Sequence, residues 1–85
     1  MKKTRTADGG KNLISQRLKK LRETQGYSLR GLENKLDEIG YKIDRNVIWR
    51  IENNERYVTD LEVKAFVEVF QVDYKLLIEG EEGGF

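Results

Sequence analysis

The chain has no cysteine, no histidine and no proline among its 85 residues. Without cysteine or histidine it lacks disulfides, the usual thiolate and imidazole ligands of zinc, a thiol nucleophile and an imidazole general base. The remaining carboxylates and hydroxyls show no pattern of a nucleophile beside a base. We therefore expect a protein that is not an enzyme and that uses no cofactor and no metal.

Long apolar runs are absent as well. No stretch is long enough to span a bilayer, and residues 1–4 lack the apolar segment of a secretory signal, so we expect a cytoplasmic protein with no membrane partner. A chain of this length has room for one domain, and 36% charged residues without proline are typical of a helical one.

The net charge of +1 conceals a gradient along the chain. Residues 1–30 carry nine Lys or Arg against two acids, a net charge of +7, whereas residues 57–85 have a net charge of −5. The basic front half favours a surface that faces a polyanion, although a solvated lysine-rich helix face would give the same counts.

Apolar spacing predicts five helices over residues 12–80, between a flexible basic arm at 1–11 and a disordered tail at 81–85. The apolar stripes are, in chain order, Leu13, Ile14, Leu18 and Leu21; Leu29, Leu32, Leu36 and Ile39; Ile48 and Ile51; Val63, Phe66, Val67 and Phe70; and Tyr74, Leu77 and Ile78. The predicted N-caps are Ser28, Asp44, Thr59 and Asp73, with a capping box from Thr59 to Glu62. Left-handed helix ends are predicted at Gly26, Gly40 and Asn54.

Helices two and three, joined by a few residues that include Gly40, have the pattern of a helix-turn-helix, whose second helix enters the major groove of DNA. Steps of 100° separate two faces of helix three: Ile48, Ile51 and Glu52 inside, and Asn46, Arg50 and Asn53 outside. Asn and Arg suit the edges of adenine and guanine, and Asn46 and Arg50 lie about 6 Å apart along the axis, comparable to two base-pair steps. The same side chains are ordinary on an exposed helix, so the preceding helix and turn carry this prediction.

Three other residues near this helix have open roles. Arg45 could reach a phosphate or a base, or be a plain surface charge. Trp49 packs either on a sugar or thymine methyl, or over the edge of the core. A buried Glu52 needs a partner, and Arg22 on helix one could supply a bidentate, structural salt bridge, unless both are solvated surface charges.

Four segments carry a family resemblance: RLKKLR at 17–22, SLRGL at 28–32, IWRIENN at 48–54 and FQVD at 70–73. Through them, residues 13–80, about four-fifths of the chain, resemble the Cro and lambda repressor-like helix-turn-helix domains of the XRE family. The chain departs from the family in having Glu33 at a usually small position, about five extra residues in the turn at 37–43, and Asn54 and Gln71 in place of glycines.

The resemblance implies a compact five-helix, all-α bundle with a salt bridge between Arg22 and Glu52. It also implies base contacts from Arg45, Asn46 and Arg50, to which we add Trp49. The predicted phosphate contacts are Ser28, Leu29, Arg30, Lys19, Asn53 and Arg56.

We therefore expect a sequence-specific transcriptional regulator of bacterial or phage repressor type that binds double-stranded DNA. Because one such domain reads few base pairs, we expect a homodimer on half-sites about 34 Å apart or a multiple of this, with Tyr74, Leu76 and Ile78 at the contact. Two alternatives stay open: an antitoxin-like regulator whose main partner is another protein, and a purely structural helical bundle.

Overall fold

The computed structural model describes residues 13–79, so the predicted arm at 1–11, the first and last residues of the predicted domain, Asn12 and Gly80, and the predicted tail at 81–85 lie outside the described residues. Within that range the chain forms five helices and no strand: α1 Ser15–Thr24, α2 Leu29–Glu38, α3 Arg45–Glu52, α4 Asp60–Phe70 and α5 Tyr74–Glu79. The predicted all-α, five-helix bundle is confirmed. None of these helices combines the length and the apolar content that crossing a membrane requires.

The core lies between α4 and the other helices. α4 packs against α1, α2 and α5, and α3 packs against α1 and α2. Phe66 of α4 is fully buried and its ring stacks with that of Phe70 at a centroid distance of 6.5 Å. The buried apolar residues are Ile14, Leu18, Leu32, Leu36, Ile43, Ile48, Ile51, Val63, Ala65, Phe66, Val69, Phe70 and Leu77. Burial of this set is the main favourable contribution to folding.

Three members of the predicted apolar stripes do not belong to the core. Leu13 is 62% exposed, because α1 begins only at Ser15 and Leu13 is outside its helical period. Ile39 is 41% exposed, because it is the C-cap of α2, where the chain turns into Gly40. Tyr74, the first residue of α5, is 50% exposed. The stripes were correct in the interiors of the helices and wrong at these three positions at or beyond helix ends, where apolar spacing does not show whether a side chain reaches the core.

The predicted helix starts are present as side-chain caps. Ser28 Oγ accepts a hydrogen bond from the Gly31 N–H at 2.9 Å, and Asp44 Oδ1 accepts one from the Asn46 N–H at 2.5 Å. Asp73 Oδ1 likewise accepts one from the Leu76 N–H at 2.9 Å. These caps satisfy backbone donors that have no partner inside the helix.

The capping box of α4 is complete. The Thr59 hydroxyl accepts a hydrogen bond from the Glu62 N–H at 3.1 Å, and a Glu62 carboxylate oxygen accepts one from the Thr59 N–H at 3.0 Å. The other end of α4 terminates at Gln71, which has a φ of 59°. Asn54, which follows α3, has a φ of 60°. Both residues therefore adopt the left-handed conformation that glycine adopts with least strain.

The lengthened connection between α2 and α3 is held at several points. Gly40 has a φ of 101°, and the Tyr41 N–H donates to Leu36 O at 2.9 Å, which closes α2 with a Schellman-type turn. The Tyr41 hydroxyl donates to Glu68 of α4 at 2.9 Å, and Ile43 is buried in the core. The extra residues are thus packed onto the bundle, and they deliver Asp44 to the start of α3.

Candidate nucleic-acid interface

The third helix lies at the surface of the bundle with one face inward. Ile48 and Ile51 are fully buried, and Glu52 is 9% exposed. The residues on the opposite face are all exposed: Asn46, Arg50 and Asn53. The structure therefore gives α3 the inner and outer faces that the 100° steps predict.

An ion pair anchors the inner face of α3 to α1. Arg22 Nε and Nη2 donate to the two carboxylate oxygens of Glu52 at 2.6 and 3.0 Å, so the predicted bidentate pair is present. Arg22 Nη1 also donates to Tyr27 O at 2.9 Å, in the connection before α2. The hydrogen bond to Glu52 raises the pKa of Arg22 above its usual 12.5. One guanidinium thus joins α1, α3 and the chain segment that leads into α2.

The outer face of α3 presents two polar side chains one turn apart. Within residues 13–79, the Asn46 carboxamide and the Arg50 guanidinium make no hydrogen bond or ion pair with another side chain. The four-residue separation places them about 40° apart around the axis and about 6 Å apart along it. Both are available for an external partner.

Asn53 and Trp49 are exposed beside these two residues but differ in availability. The Asn53 carboxamide donates to Trp49 O at 2.8 Å, so one of its donors is already used at the end of α3. Trp49 is 45% exposed and is absent from the partly buried apolar residues that pack on the core. Two roles were left open for Trp49, a contact with DNA and a position over the edge of the core. The second role has no support from this packing.

Arg45, the first residue of α3, is paired. Its Nη1 donates to Glu33 Oε1 of α2 at 3.2 Å, and the two side chains are 47% and 28% exposed. The pair spans the connection between the two helices. Arg45 thus has a partner within the protein, unlike Arg50.

Four of the residues predicted to contact phosphate fall into two groups. Lys19 and Arg30 are exposed, and Arg30 follows Leu29 in the first turn of α2. The Ser28 hydroxyl is used as the cap of this helix, and Leu29 packs against the core, so these two residues offer backbone groups rather than free side chains.

Among the predicted phosphate contacts, Arg56 has the charge that is most completely neutralised by a carboxylate of the protein. Its Nη1 donates to both carboxylate oxygens of Glu62 at 2.9 and 3.0 Å. The same carboxylate closes the capping box of α4, so Arg56 is held at the start of that helix. A phosphate would have to share this guanidinium with Glu62.

Two carboxylates that shape this surface, Glu33 and Glu62, were not predicted as partners of its arginines. Glu62 carried a local signal, since it was already identified at the N3 position of a helix that begins close to Arg56. Glu33 carried no such signal, because Arg45 is twelve residues away along the chain. Arg17 was also missed: its Nη1 donates to Ile78 O at 3.2 Å and joins α1 to the end of α5.

Comparison of the chain with protein-family models, with curated proteins and with solved structures finds no match. The family resemblance of the four segments therefore remains a prediction from the sequence.

Proposed function

We propose that the protein is a sequence-specific, DNA-binding transcriptional regulator that reads the major groove with α3. One observation supports the proposal most strongly. Asn46 and Arg50 are exposed, one turn apart, on the outer face of α3, and the inner face of this helix is fixed to the bundle by its buried residues and by the Arg22–Glu52 pair. Rigid support on one face and available polar groups on the other are what a recognition helix needs.

The chemistry of the two exposed side chains suits base edges. A carboxamide both donates and accepts, as adenine requires at N6 and N7, and a guanidinium fork donates twice, as guanine requires at O6 and N7. The axial separation of about 6 Å lets Asn46 and Arg50 contact base pairs about two steps apart. Both contacts are hydrogen bonds to base edges, so they contribute sequence preference.

Contacts to the sugar-phosphate backbone come from the residues around α3. Lys19 and Arg30 are exposed cations, and the first N–H groups of α2 have no acceptor inside the helix. A helix N-terminus of this kind favours a phosphate, and exposed cations release condensed counterions on binding. These groups provide affinity for any duplex and orient α3.

Because one domain of this kind reads few base pairs, we include a homodimer in the proposal. Tyr74 of α5 is 50% exposed and borders a shallow apolar depression with Leu61, which is 61% exposed, and with Ile78. Leu76, on the same helix as Tyr74, is partly buried. This end of the bundle supplies the apolar contact area of such a dimer, and sedimentation with and without duplex measures it.

Selection of bound duplexes from a random pool tests the proposal. We expect enrichment of a short motif repeated with dyad symmetry and with centres about 10 base pairs, or a multiple, apart. The double variant Asn46→Ala/Arg50→Ala should lose the motif. The matched control, Lys35→Ala/Lys42→Ala, removes two surface cations that take no part in the proposed contacts with DNA or in the proposed dimer, and it should select the same motif.

The salt dependence of DNA binding is a second test of the proposal. DNA binding should weaken steeply as salt rises, because phosphate contacts release counterions. A chain that enriches no motif and binds duplexes with no dependence on salt would contradict the proposal, and would favour a regulator whose partner is another protein or a purely structural bundle.

A further inference from the structure

Arg45 occupies a different position on α3 from Asn46 and Arg50. At 100° per residue it lies about 140° from Arg50 and only about 20° from the buried Glu52. Its Cα is therefore on the side of the helix that faces the bundle, at the end nearest α2. The Arg45 side chain is nevertheless 47% exposed, and its Nη1 is bound to Glu33.

The contact with Glu33 restricts a side chain that would otherwise be free to rotate. Arginine has four side-chain torsions, and ordering such a side chain costs about 1.5–2 kcal/mol in conformational entropy. Glu33 is 28% exposed and belongs to the middle of α2, so its carboxylate is the better fixed of the two groups. Glu33 thus holds the guanidinium in place before any ligand arrives.

Most of the donors on Arg45 remain available. A guanidinium has five N–H donors, and the contact with Glu33 involves only Nη1. Within residues 13–79, Nε and Nη2 of Arg45 have no hydrogen-bond partner. The group therefore retains an open pair of parallel donors, which is the arrangement that pairs with the edge of guanine.

The contact also cancels the charge of Arg45. A carboxylate 3.2 Å from the guanidinium leaves the pair with no net charge, so the pair adds little to the attraction of a phosphate backbone. Arg50 differs in this respect, because within the described residues no carboxylate is paired with it. The two arginines are thus chemically alike and electrostatically different.

We propose that Glu33 is a positioning and specificity-determining residue, which orients Arg45 toward a guanine while suppressing its contribution to binding of random sequence. This inference rests on the proposed function. It assigns a purpose to the acidic residue at the contact between α2 and α3: Arg45 discriminates among base pairs, whereas Lys19 and Arg30 bind any duplex.

The variant Glu33→Gln tests the inference, because it removes the charge and keeps a side chain of the same size. We expect its affinity for the selected site to fall about tenfold, since a neutral amide oxygen holds the guanidinium less tightly than a carboxylate does. Its affinity for random duplex should rise severalfold, and the slope of log affinity against log salt on random duplex should steepen by about 0.9, the value for one added phosphate contact.

The matched control is Glu38→Gln. Glu38 is also on α2 and is 66% exposed, but its ion-pair partner is Lys35 on the same helix. It should keep the wild-type ratio of specific to random affinity. Both variants should fold, because loss of an exposed ion pair removes little stability. Thermal melts check this.

A second variant separates positioning from simple repulsion of DNA by Glu33. Arg45→Lys keeps the charge and loses the fork, so it should lower the preference for one base pair in the selected site, the same one that Glu33→Gln affects. In the Glu33→Gln background, Arg45→Lys should add little further loss.

Three results would overturn the inference. An unchanged affinity ratio in Glu33→Gln shows that Glu33 does not position Arg45. Equal gains on selected and random duplexes show that Glu33 only repels the backbone. A wild-type chain that selects no duplex removes the proposed function together with this inference, and is distinguished from the first two results because it needs no variant.

Discussion

Arg22 of α1 and Glu52 of α3 form a bidentate ion pair in which the Arg22 side chain is 12% exposed and the Glu52 side chain 2% exposed. The carboxylate lies one residue beyond the buried Ile51 on the inner face of α3. Because both of its oxygens accept hydrogen bonds from one planar group, the pair fixes the rotation of α3 about its own axis. That rotation decides that Asn46 and Arg50 point outward.

The first prediction follows from the burial of this pair. Arg22→Met should lower the free energy of unfolding by about 3–5 kcal/mol, because it leaves the Glu52 carboxylate buried without a counter-charge. Urea unfolding followed by circular dichroism measures this loss. The double variant Arg22→Met/Glu52→Met should recover much of the stability, since neither charge is then left alone.

The control for this prediction is Lys42→Met, which breaks an ion pair with Asp37 in the connection between α2 and α3. The Lys42 side chain is 87% exposed, so its removal should leave the unfolding midpoint almost unchanged. Equal losses in Arg22→Met and Lys42→Met would show that the Arg22–Glu52 pair is no more important than a solvated one.

The second prediction distinguishes base reading from phosphate binding. Arg50→Ala should cost about 1–3 kcal/mol of binding free energy at the selected site and relax the base preference at one position. Lys19→Ala should weaken binding to selected and random duplexes alike. Titrations of both variants against both duplexes make the measurement, and equal losses for Arg50→Ala on the two duplexes would argue against base reading.

The third prediction concerns the end of α4. Gln71 has a φ of 59°, and the left-handed conformation is unfavourable by about 1–2 kcal/mol for a residue with a Cβ atom. Gln71→Gly should therefore raise the free energy of unfolding by about 1 kcal/mol, after the greater entropy of glycine in the unfolded chain is deducted. Gln16→Gly makes the same change inside α1 and should lower it. A loss of stability in Gln71→Gly would contradict the argument from strain.

The fourth prediction concerns pH. The hydrogen bond to Glu68 raises the pKa of the Tyr41 hydroxyl above 10.0 in the folded protein. The neutral phenol is thus favoured by folding, so the stabilisation is present below pH 10 and is lost as the pH rises through the raised pKa. Ultraviolet titration of wild type and Glu68→Ala should show one tyrosine that ionises at lower pH in the variant, whereas Glu38→Ala should leave the titration unchanged.

Features that depend on neighbours in the sequence were predicted well. The caps at Ser28, Asp44 and Thr59 are present because a short polar side chain can reach the free N–H groups two or three residues ahead whatever the rest of the fold does. The two faces of α3 are also as predicted, because helical geometry alone fixes the angle between its residues.

Features that depend on neighbours in space were predicted less completely. The pair between Arg22 and Glu52 was anticipated, because a carboxylate on a buried face needs a counter-charge. The pair between Arg45 and Glu33 was not, because each residue by itself is compatible with an exposed position. Pairing of Arg56 with Glu62 also escaped prediction, although Glu62 lies only six residues further along the chain and had been identified at the start of α4.

The sequence by itself determined that this chain is a bundle of five helices and that α3 has a polar face of Asn and Arg, since both follow from local caps and from helical periodicity. The tertiary structure alone decided which of the three arginines on and after α3 has an unpaired charge. Arg45 and Arg56 are neutralised by carboxylates that packing brings within 3.2 Å, whereas Arg50 keeps its charge available within the described residues. Coulombic pairing depends on distance through space, which the order of residues along a chain does not specify.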